Sequence, residues 1–376
     1  MKNNLAKTLL FVIVITSVVA CGSDSANDTN IDTTGSNKTQ SKRLTGSILV
    51  LGYDWLWKMD MATGSFAKVQ GTHWKTSGDY HNVANFLLSP IAYEGDEFIL
   101  SVQNCLPSDT FTSCIVTLDE KAIKITQFVL SGKIYDAAKM SRDRQYVAFT
   151  IQYGGSITND TYLEIYDRSG NLISDDRIST NLARLSIDWL PDGRLVYSVR
   201  SEENRSIYFT SPYSTIVERN LTLPINIPGS IDKIAASADG KRIAFSLVSS
   251  SSFAATRATP WVTKIDGTNL HQLAVDPHAD GTESSYINNP KWSPDGRWIL
   301  VKYGGATGGS ISNPGVLGYL FAVPSDGVKV PLSPYDDSIE TTAIQIKSDW
   351  YTVFYDRGET TFNEDRWPNL DYDWIP

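Results

Sequence analysis

The chain has 376 residues, of which 41% are hydrophobic and 11% aromatic, with four histidines and a formal net charge of -9. This length and composition predict a globular, β-rich protein with a sizeable core, and they are not typical of disordered or membrane-spanning chains. The net negative charge argues against binding to nucleic acid and against charge-driven binding to an anionic lipid surface.

The first twenty residues are typical of an export signal. Lys2 and Lys7 flank a short polar start, and residues 8–20 are almost wholly apolar, a run too short to span a bilayer comfortably. The segment ends in VVACG at residues 18–22, which resembles the lipobox of bacterial lipoproteins. That resemblance implies a signal peptide over residues 1–20 and lipidation of Cys21. The alternative is an ordinary secretory peptide with an incidental cysteine.

A polar segment over residues 21–45 follows the signal. It is rich in Ser, Thr, Asn, Asp and Gly, so it has almost nothing to bury and is expected to be a flexible tether. The tether would hold one folded domain, residues 46–376, at a membrane surface of the cell envelope, with the lipid as its only membrane attachment. In lipoproteins of this kind, Gly22 and Ser23 in place of an aspartate imply export to the outer membrane, facing the periplasm.

A hairpin pattern recurs along this domain. The stretch NPKWSPDGRWILVKY at residues 289–303 is typical of two strands joined by a Pro-Asp-Gly turn. Similar stretches occur at residues 93–102, 140–151, 189–199 and 236–248. The aligned acidic residues are spaced 47 to 56 positions apart: Glu94, Asp143, Asp192, Asp239 and Asp295. Two more strands around a Gly turn follow the hairpins, as in residues 262–273 and 321–332. Four strands in a repeat of this length predict a blade of a β-propeller.

These repeats resemble the TolB-like propeller repeat, a WD40-like unit whose signature is Trp-Ser-Pro-Asp-Gly followed by Lys or Arg and an apolar strand. The resemblance covers most of the chain after Gly46 and is strongest at residues 292–299. It implies a fold rather than a function, since the motif occurs in binding propellers of the bacterial envelope and in propeller domains of some serine peptidases. Seven units of about 47 residues fill the domain, whereas six would need about 55 each. We expect an all-β propeller of seven blades, with six as the close TolB-like alternative, and both termini on adjacent or shared blades.

No motif in the chain indicates catalysis. The Gly-x-Ser-x-Gly elbow of serine hydrolases is absent. The histidine pairs lack the i, i+4 spacing and cysteine partners of a zinc site, so we expect solvated histidines, no metal and no cofactor: His73 with His81, and His271 with His278. Residues 335–338 are Asp-rich but lack the EF-hand pattern. The repeated aspartates are expected to cap their own turns.

Two cysteines are candidates for a disulfide. Cys105 and Cys114 bracket the loop LPSDTFTS, which joins the second and third strands of one blade. Because those strands are antiparallel, the two ends of the loop approach each other as a disulfide requires. Outside the cytoplasm the pair is free to oxidise. We expect a Cys105–Cys114 bond, with two free thiols as the alternative.

The aromatic residues divide by position. Trp189 and Trp292 occupy the same repeat position on inner strands and are expected in the core. Other aromatics lie in or beside long loops, where contact with a ligand is more common: Trp74, Tyr80, Tyr153 and Tyr303. The tail EDRWPNLDYDWIP is expected to form a last outer strand with Trp374 packed on the ring, and the alternative is a binding segment.

Loop lengths separate the two ends of the predicted blades. With strands a to d running from inner to outer, the a–b and c–d turns fall at one end and are short. The other connections are long and fall at the opposite end: residues 71–82, 103–113, 152–161, 249–259, 275–286 and 304–318. We expect a monomeric, non-catalytic scaffold that binds an envelope protein, peptide or cell-wall component through this long-loop face, with Trp74, His81, Tyr153 and His278 as sample contacts. The alternative is a lyase- or lactonase-type propeller enzyme with a metal at the channel mouth.

Overall fold

The computed structural model describes residues 44–51, 56–68, 88–90, 97–103, 113–119, 124–130, 133–152, 160–179, 184–200, 205–250, 256–278, 286–304, 319–333, 338–346 and 372–375. In these ranges the regular structure consists of β-strands. No helix in the described ranges is long and apolar enough to cross a membrane.

Six four-stranded antiparallel sheets form the blades of a propeller in the described residues. Strands are numbered along the chain, and each blade is described from its inner to its outer edge. Blade 1 contains β26 (Tyr372–Ile375), β1 (Ser47–Leu51), β2 (Leu56–Asp60) and β3 (Phe66–Lys68). Blade 2 contains β4 (Leu88–Pro90), β5 (Glu97–Gln103), β6 (Ser113–Asp119) and β7 (Lys124–Leu130). Blade 3 contains β8 (Lys133–Met140), β9 (Tyr146–Gln152), β10 (Thr161–Asp167) and β11 (Leu172–Ser179).

The remaining three blades follow the same plan. Blade 4 contains β12 (Arg184–Trp189), β13 (Arg194–Arg200), β14 (Ser206–Pro212) and β15 (Val217–Thr222). Blade 5 contains β16 (Ser230–Ala236), β17 (Arg242–Ser250), β18 (Thr256–Lys264) and β19 (His271–Gln272). Blade 6 contains β21 (Ile287–Trp292), β22 (Trp298–Tyr303), β23 (Tyr319–Pro324) and β25 (Ile344–Ile346). A parallel pair, β20 (Ala274–Val275) with β24 (Val330–Pro331), lies outside these sheets.

The core lies between neighbouring blades, which explains the near-continuous apolar runs of the b strands. In β17, Ile243, Phe245 and Leu247 pack into a cluster shared with blade 4, whereas Ala244 packs into a cluster shared with blade 6. Because successive side chains of a strand point to opposite faces, a blade that is covered on both sides needs apolar residues at every position. Trp189 and Trp292 are 0% and 5% exposed, so their predicted place in the core is confirmed.

The six inner strands form a closed ring. Each contacts the inner strand of the next blade, from β26 through β4, β8, β12, β16 and β21, and β21 contacts β26 again. The propeller expected from the repeats is therefore confirmed, but the prediction of seven blades is wrong for the part of the chain that is described. Residues 343–346, which a seventh blade would need, supply the fourth strand of blade 6 through β25. The tail supplies the first strand of blade 1.

The first and last strands join in blade 1. β26 pairs antiparallel with β1, with Ile48 opposite Trp374, so the expectation that both termini share a blade is confirmed. The predicted outer position of the tail strand is wrong, because β26 is the innermost strand of its sheet. Trp374 is 1% exposed, and its indole Nε1 donates a hydrogen bond of 2.9 Å to the Thr45 carbonyl. Gly46 has a φ of 87°, and a Cβ there would lie 2.3 Å from the Ile375 carbonyl oxygen.

A parallel strap joins blades 5 and 6. Ala274 is paired with Val330 and Val275 with Pro331. The sequence pattern predicts residues 330–332 as the outer strand of blade 6, but they cross to blade 5, and β25 takes the outer position instead. The reason is apolar burial: Leu273, Ala274, Val330 and Leu332 are at most 2% exposed in the cluster shared by the two blades.

Candidate binding face

One end of the propeller, the short-turn face, consists of the a–b and c–d turns. Most of these turns contain four to six residues between strands. Ser237 Oγ donates to Asp239 Oδ1 at 2.6 Å, and the Lys241 amide donates to the same oxygen at 3.1 Å. Asp143 and Asp295 accept the same pair of bonds, whereas Asp192 accepts from the Arg194 amide and from Arg194 Nε. The predicted turn-capping role of the repeated aspartates is confirmed.

Hydrogen bonding keeps these caps ionised. Burial raises the pKa of the Asp239 carboxyl, but hydrogen bonds from Ser237 and the Lys241 amide outweigh burial, and the pKa lies below its usual value. The same balance lowers the pKa of the other three caps: Asp143, Asp192 and Asp295. A carboxylate with a lowered pKa is charged over the whole neutral range and is poorly suited to proton transfer. We conclude that these aspartates are structural.

Two arginines tie neighbouring blades together at the same end. The guanidinium of Arg142 donates to the carbonyl oxygens of Trp189 and Ala236, each at 3.3 Å, and so links blades 3, 4 and 5. Arg242 donates to the Gly296 carbonyl at 2.8 Å and lies 4.6 Å from the centre of the Trp292 ring. The guanidinium donors of these two arginines are thus used within the ring.

The inner strands line the channel with polar groups. Lys139 of β8 and Asp373 of β26 form an ion pair of 3.8 Å between blades 3 and 1. Both oxygens of Asp188 accept main-chain bonds, from Trp189 at 2.9 Å and Ala236 at 2.8 Å. Within the described ranges, no three His, Cys, Asp or Glu side chains form a group that could hold a metal ion.

At the opposite end, the long-loop face, one loop is held by an arginine. Arg205, at the start of β14, donates to the main-chain carbonyls of Pro224, Ile225 and Ile227. Three carbonyls bound to one guanidinium fix the loop between β15 and β16. The side chain of Ile225 is 94% exposed, more than any other large aliphatic residue among those described.

A second described part of this face lies where blades 5 and 6 meet. Tyr303, at the end of β22, donates through its hydroxyl to Asp276 Oδ2 at 2.7 Å. The His278 amide donates to Asp276 Oδ1 at 2.9 Å, and the His278 side chain is exposed. The Gly304 amide donates to the Tyr286 carbonyl at 2.8 Å. Connections from two different blades therefore converge here, as the predicted separation of loops requires.

The predicted site residues are only partly within the described ranges. His278 lies on the long-loop face, and Tyr303 beside it is partly buried. His271 begins β19, within the pair of strands expected over residues 262–273, and lies beside the Gly327 turn at the short-turn end. The other positions lie outside the described residues: Cys21, Trp74, His81, Cys105 and Tyr153. Cys114 lies in β6 opposite Val102.

Sequence reasoning missed the loop held by Arg205. The signal was present in LPINIPG at residues 223–229, where Ile225 and Ile227 stand between two prolines in a segment too short for a helix. Pro fixes the local backbone and withholds a donor, so such a segment does not join a sheet readily. Nothing in the spacing of Arg205 predicts that it binds three carbonyls about twenty residues away.

Comparisons with known proteins place the chain among propeller structures at low similarity. No protein-family model matches the chain, and no curated protein matches it. A solved TolB structure from Agrobacterium tumefaciens has 14% identity and a TM-score of 0.49, covering 81% of this chain and 89% of that one. Hydrazine synthase of Kuenenia stuttgartiensis has 14% identity and a TM-score of 0.46, covering 73% and 71%. A complex of KlAtg21 with the coiled coil of AgAtg16 has 16% identity and a TM-score of 0.44, covering 76% and 83%. Similarity at this level carries no functional argument, and the propeller assignment rests on the strand order.

Proposed function

We propose that this protein is a lipid-anchored propeller of the bacterial envelope that acts as a non-catalytic binding scaffold. Its partner is a protein, a peptide or a cell-wall component, and it binds through the long-loop face. One observation carries the proposal: Arg205 holds a loop on that face so that Ile225 stands 94% exposed. The lipid anchor is supported by the resemblance of residues 18–22 to a lipobox, and export to the outer membrane by Gly22 and Ser23 in place of an aspartate.

The cost of exposing Ile225 supports a binding role. A fully buried isoleucine side chain is worth about 1.5–3 kcal/mol relative to an exposed one, and a mobile loop would recover part of that by folding the side chain onto the ring. The bonds from Arg205 keep the loop in place, so the aliphatic side chain is available to a partner without further ordering of the chain. Preorganised apolar groups of this kind are typical anchors of protein interfaces.

The two ends of the ring differ in what they offer a partner. At the short-turn face, Asp239 accepts a bond within its own turn, Arg297 pairs with Asp295, and Arg242 binds a main-chain carbonyl of the neighbouring blade. At the long-loop face, Ile225 and His278 are both exposed on connections that the ring supports. Binding residues are concentrated on loops that a rigid scaffold positions. The long-loop face therefore fits the proposed role better than the short-turn face.

A matched pair of substitutions tests the proposal. Val328 is 65% exposed in the Gly327 turn of the short-turn face, so Ile225→Ser and Val328→Ser each remove an exposed aliphatic side chain, from opposite ends of the ring. Immobilised protein is incubated with solubilised envelope from its own cells, and captured partners are quantified by mass spectrometry. We expect Ile225→Ser to reduce capture at least about fivefold, the loss typical of an interface anchor, while Val328→Ser leaves it unchanged. Loss with Val328→Ser alone would contradict the proposal.

A further inference from the structure

Four exposed aliphatic side chains lie at the outer rim of blades 3 and 4, at the short-turn end. Their exposed fractions are 49% for Leu172, 46% for Ile173, 68% for Ile216 and 40% for Val217. Leu172 and Ile173 begin β11, and Ile216 and Val217 stand where β15 begins, each pair just after a c–d turn. We refer to these four residues as the rim patch. The patch is separate from the long-loop face and independent of the function proposed for it.

A hydrogen-bonded joint between the two blades brings these residues together. Ser174 Oγ lies 2.8 Å from Thr215 Oγ1 and accepts a 3.0 Å bond from the Thr215 amide. Every member of the rim patch is within two positions of Ser174 or Thr215 along the chain, a reach of roughly 7 Å on a strand. Thr215 is 1% exposed, so the joint is part of the packed ring. The rim patch therefore lies on the outer edges of two neighbouring blades that this joint holds together.

Both strands that carry the rim patch are edge strands. β11 pairs only with β10, and β15 pairs only with β14, among the described strands. An edge strand has a row of main-chain donors and acceptors that no neighbour uses, and it can pair with an added strand. Exposed aliphatic side chains beside such an edge give an added strand an apolar contact as well.

Three acidic side chains lie on the two strands that carry the rim patch. Asp175 and Asp176 lie on β11, and Glu218 is exposed on β15. The cations of these two strands are engaged: Arg177 pairs with Asp160 at 3.5 Å, and Arg219 lies 3.6 Å from the centre of the Phe209 ring. A second copy of the chain is disfavoured here, because antiparallel pairing of two β11 strands sets aspartates against aspartates.

We propose that the rim patch binds an extended segment of another protein in which aliphatic and basic side chains alternate. The segment adds to the free edge of β11 as a fifth, antiparallel strand. Its aliphatic side chains lie on the face of β11 that carries Ile173, and its lysines or arginines lie on the opposite face, near Asp176. Main-chain pairing supplies affinity, and the acidic rim selects for a basic partner.

Binding of a designed peptide tests the proposal. The probe is a fluorescein-labelled hexapeptide of alternating lysine and valine, and the reference is the same peptide with glutamate in place of lysine. Fluorescence anisotropy measures the Kd for the whole domain at low ionic strength. We expect the lysine peptide to bind at least about tenfold more tightly than the glutamate peptide, and the preference to shrink as added salt screens the charges.

Substitutions locate the bound peptide on the ring. We expect Asp176→Asn to weaken binding of the lysine peptide about two- to fivefold, and Asp175→Asn, on the face that carries Ile173, to weaken it less. The double change Ile173→Ser and Ile216→Ser should weaken binding at least about fivefold. Val328→Ser, which changes a comparably exposed aliphatic residue at the rim of blade 6, is the matched control and should leave the Kd unchanged. Thermal unfolding of each variant verifies that the ring remains folded.

Three results would overturn the proposal. Equal affinity for the lysine and glutamate peptides would remove the role of the acidic rim. Equal losses from Val328→Ser and the isoleucine pair would show that binding is not located at the rim patch. Sedimentation equilibrium that shows a dimer in the wild type and a monomer after Ile216→Ser would assign the surface to a second copy of the chain.

Discussion

Replacing Trp374 with alanine tests how the ring is closed. Trp374 is 1% exposed and packs with Leu44, Ile48 and Met59, so the substitution removes one of the largest buried side chains of blade 1. Truncating a buried tryptophan costs about 3–5 kcal/mol. For a domain of about 330 residues, an unfolding entropy near 2.1 cal/mol/K per residue gives roughly 0.7 kcal/mol/K, so Tm should fall by about 4–7 °C.

A conservative variant separates packing from hydrogen bonding at this position. Trp374→Phe keeps most of the apolar contact but removes the Nε1 bond to the Thr45 carbonyl, a loss of about 1–2 kcal/mol or roughly 1.5–3 °C. Differential scanning calorimetry of the domain measures both variants, with Ile225→Ser as an exposed control that should shift Tm by less than about 1 °C. If Trp374→Ala melts within about 1 °C of the wild type, β26 does not close the ring.

Three further predictions concern acid stability, the anchor and the cysteines. The four turn aspartates have a lower pKa in the folded than in the unfolded protein, so the stability that they give the fold is complete above about pH 4 and is lost as the pH falls through the folded pKa. Urea unfolding at about pH 7, 4 and 3 should show this decline in the free energy of unfolding. The double change Asp239→Asn with Asp295→Asn should make the decline smaller. Cys21→Ser should abolish metabolic labelling with a radioactive fatty acid, and unchanged labelling would contradict the lipobox interpretation. Non-reducing peptide mapping of protein from the envelope should recover Cys105 joined to Cys114. Closing a loop of about ten residues would stabilise the folded protein by about 2–3 kcal/mol. Two alkylatable thiols would show that the bond does not form.

The blade plan could be predicted from the sequence because its signals are local. A Pro-Asp-Gly turn between two apolar strands specifies a hairpin without reference to the rest of the chain, and the Asp295 carboxylate caps its own turn. The number of blades depends on distant pairing instead. Val330 has the local pattern of an outer strand, yet it pairs with Ala274 of another blade, and the short β25 takes the place that it leaves.

The candidate site was predictable as a face but not as a set of residues. Alternating strand direction places all b–c and d–a connections at one end, and that rule needs only loop lengths. Ile225 is exposed because Arg205 binds carbonyls in a loop about twenty residues away, and no periodicity indicates such a bond.

Photocrosslinking in living cells tests the central claim most directly. A benzophenone amino acid is placed at position 225 on the long-loop face or at position 328 on the short-turn face, two positions of high exposure in the same ring. After irradiation, covalent adducts are separated by size and identified. The proposed scaffold predicts an adduct of defined mass from position 225 and none from position 328. An adduct from position 328 alone would show that the protein binds its partner through the opposite face.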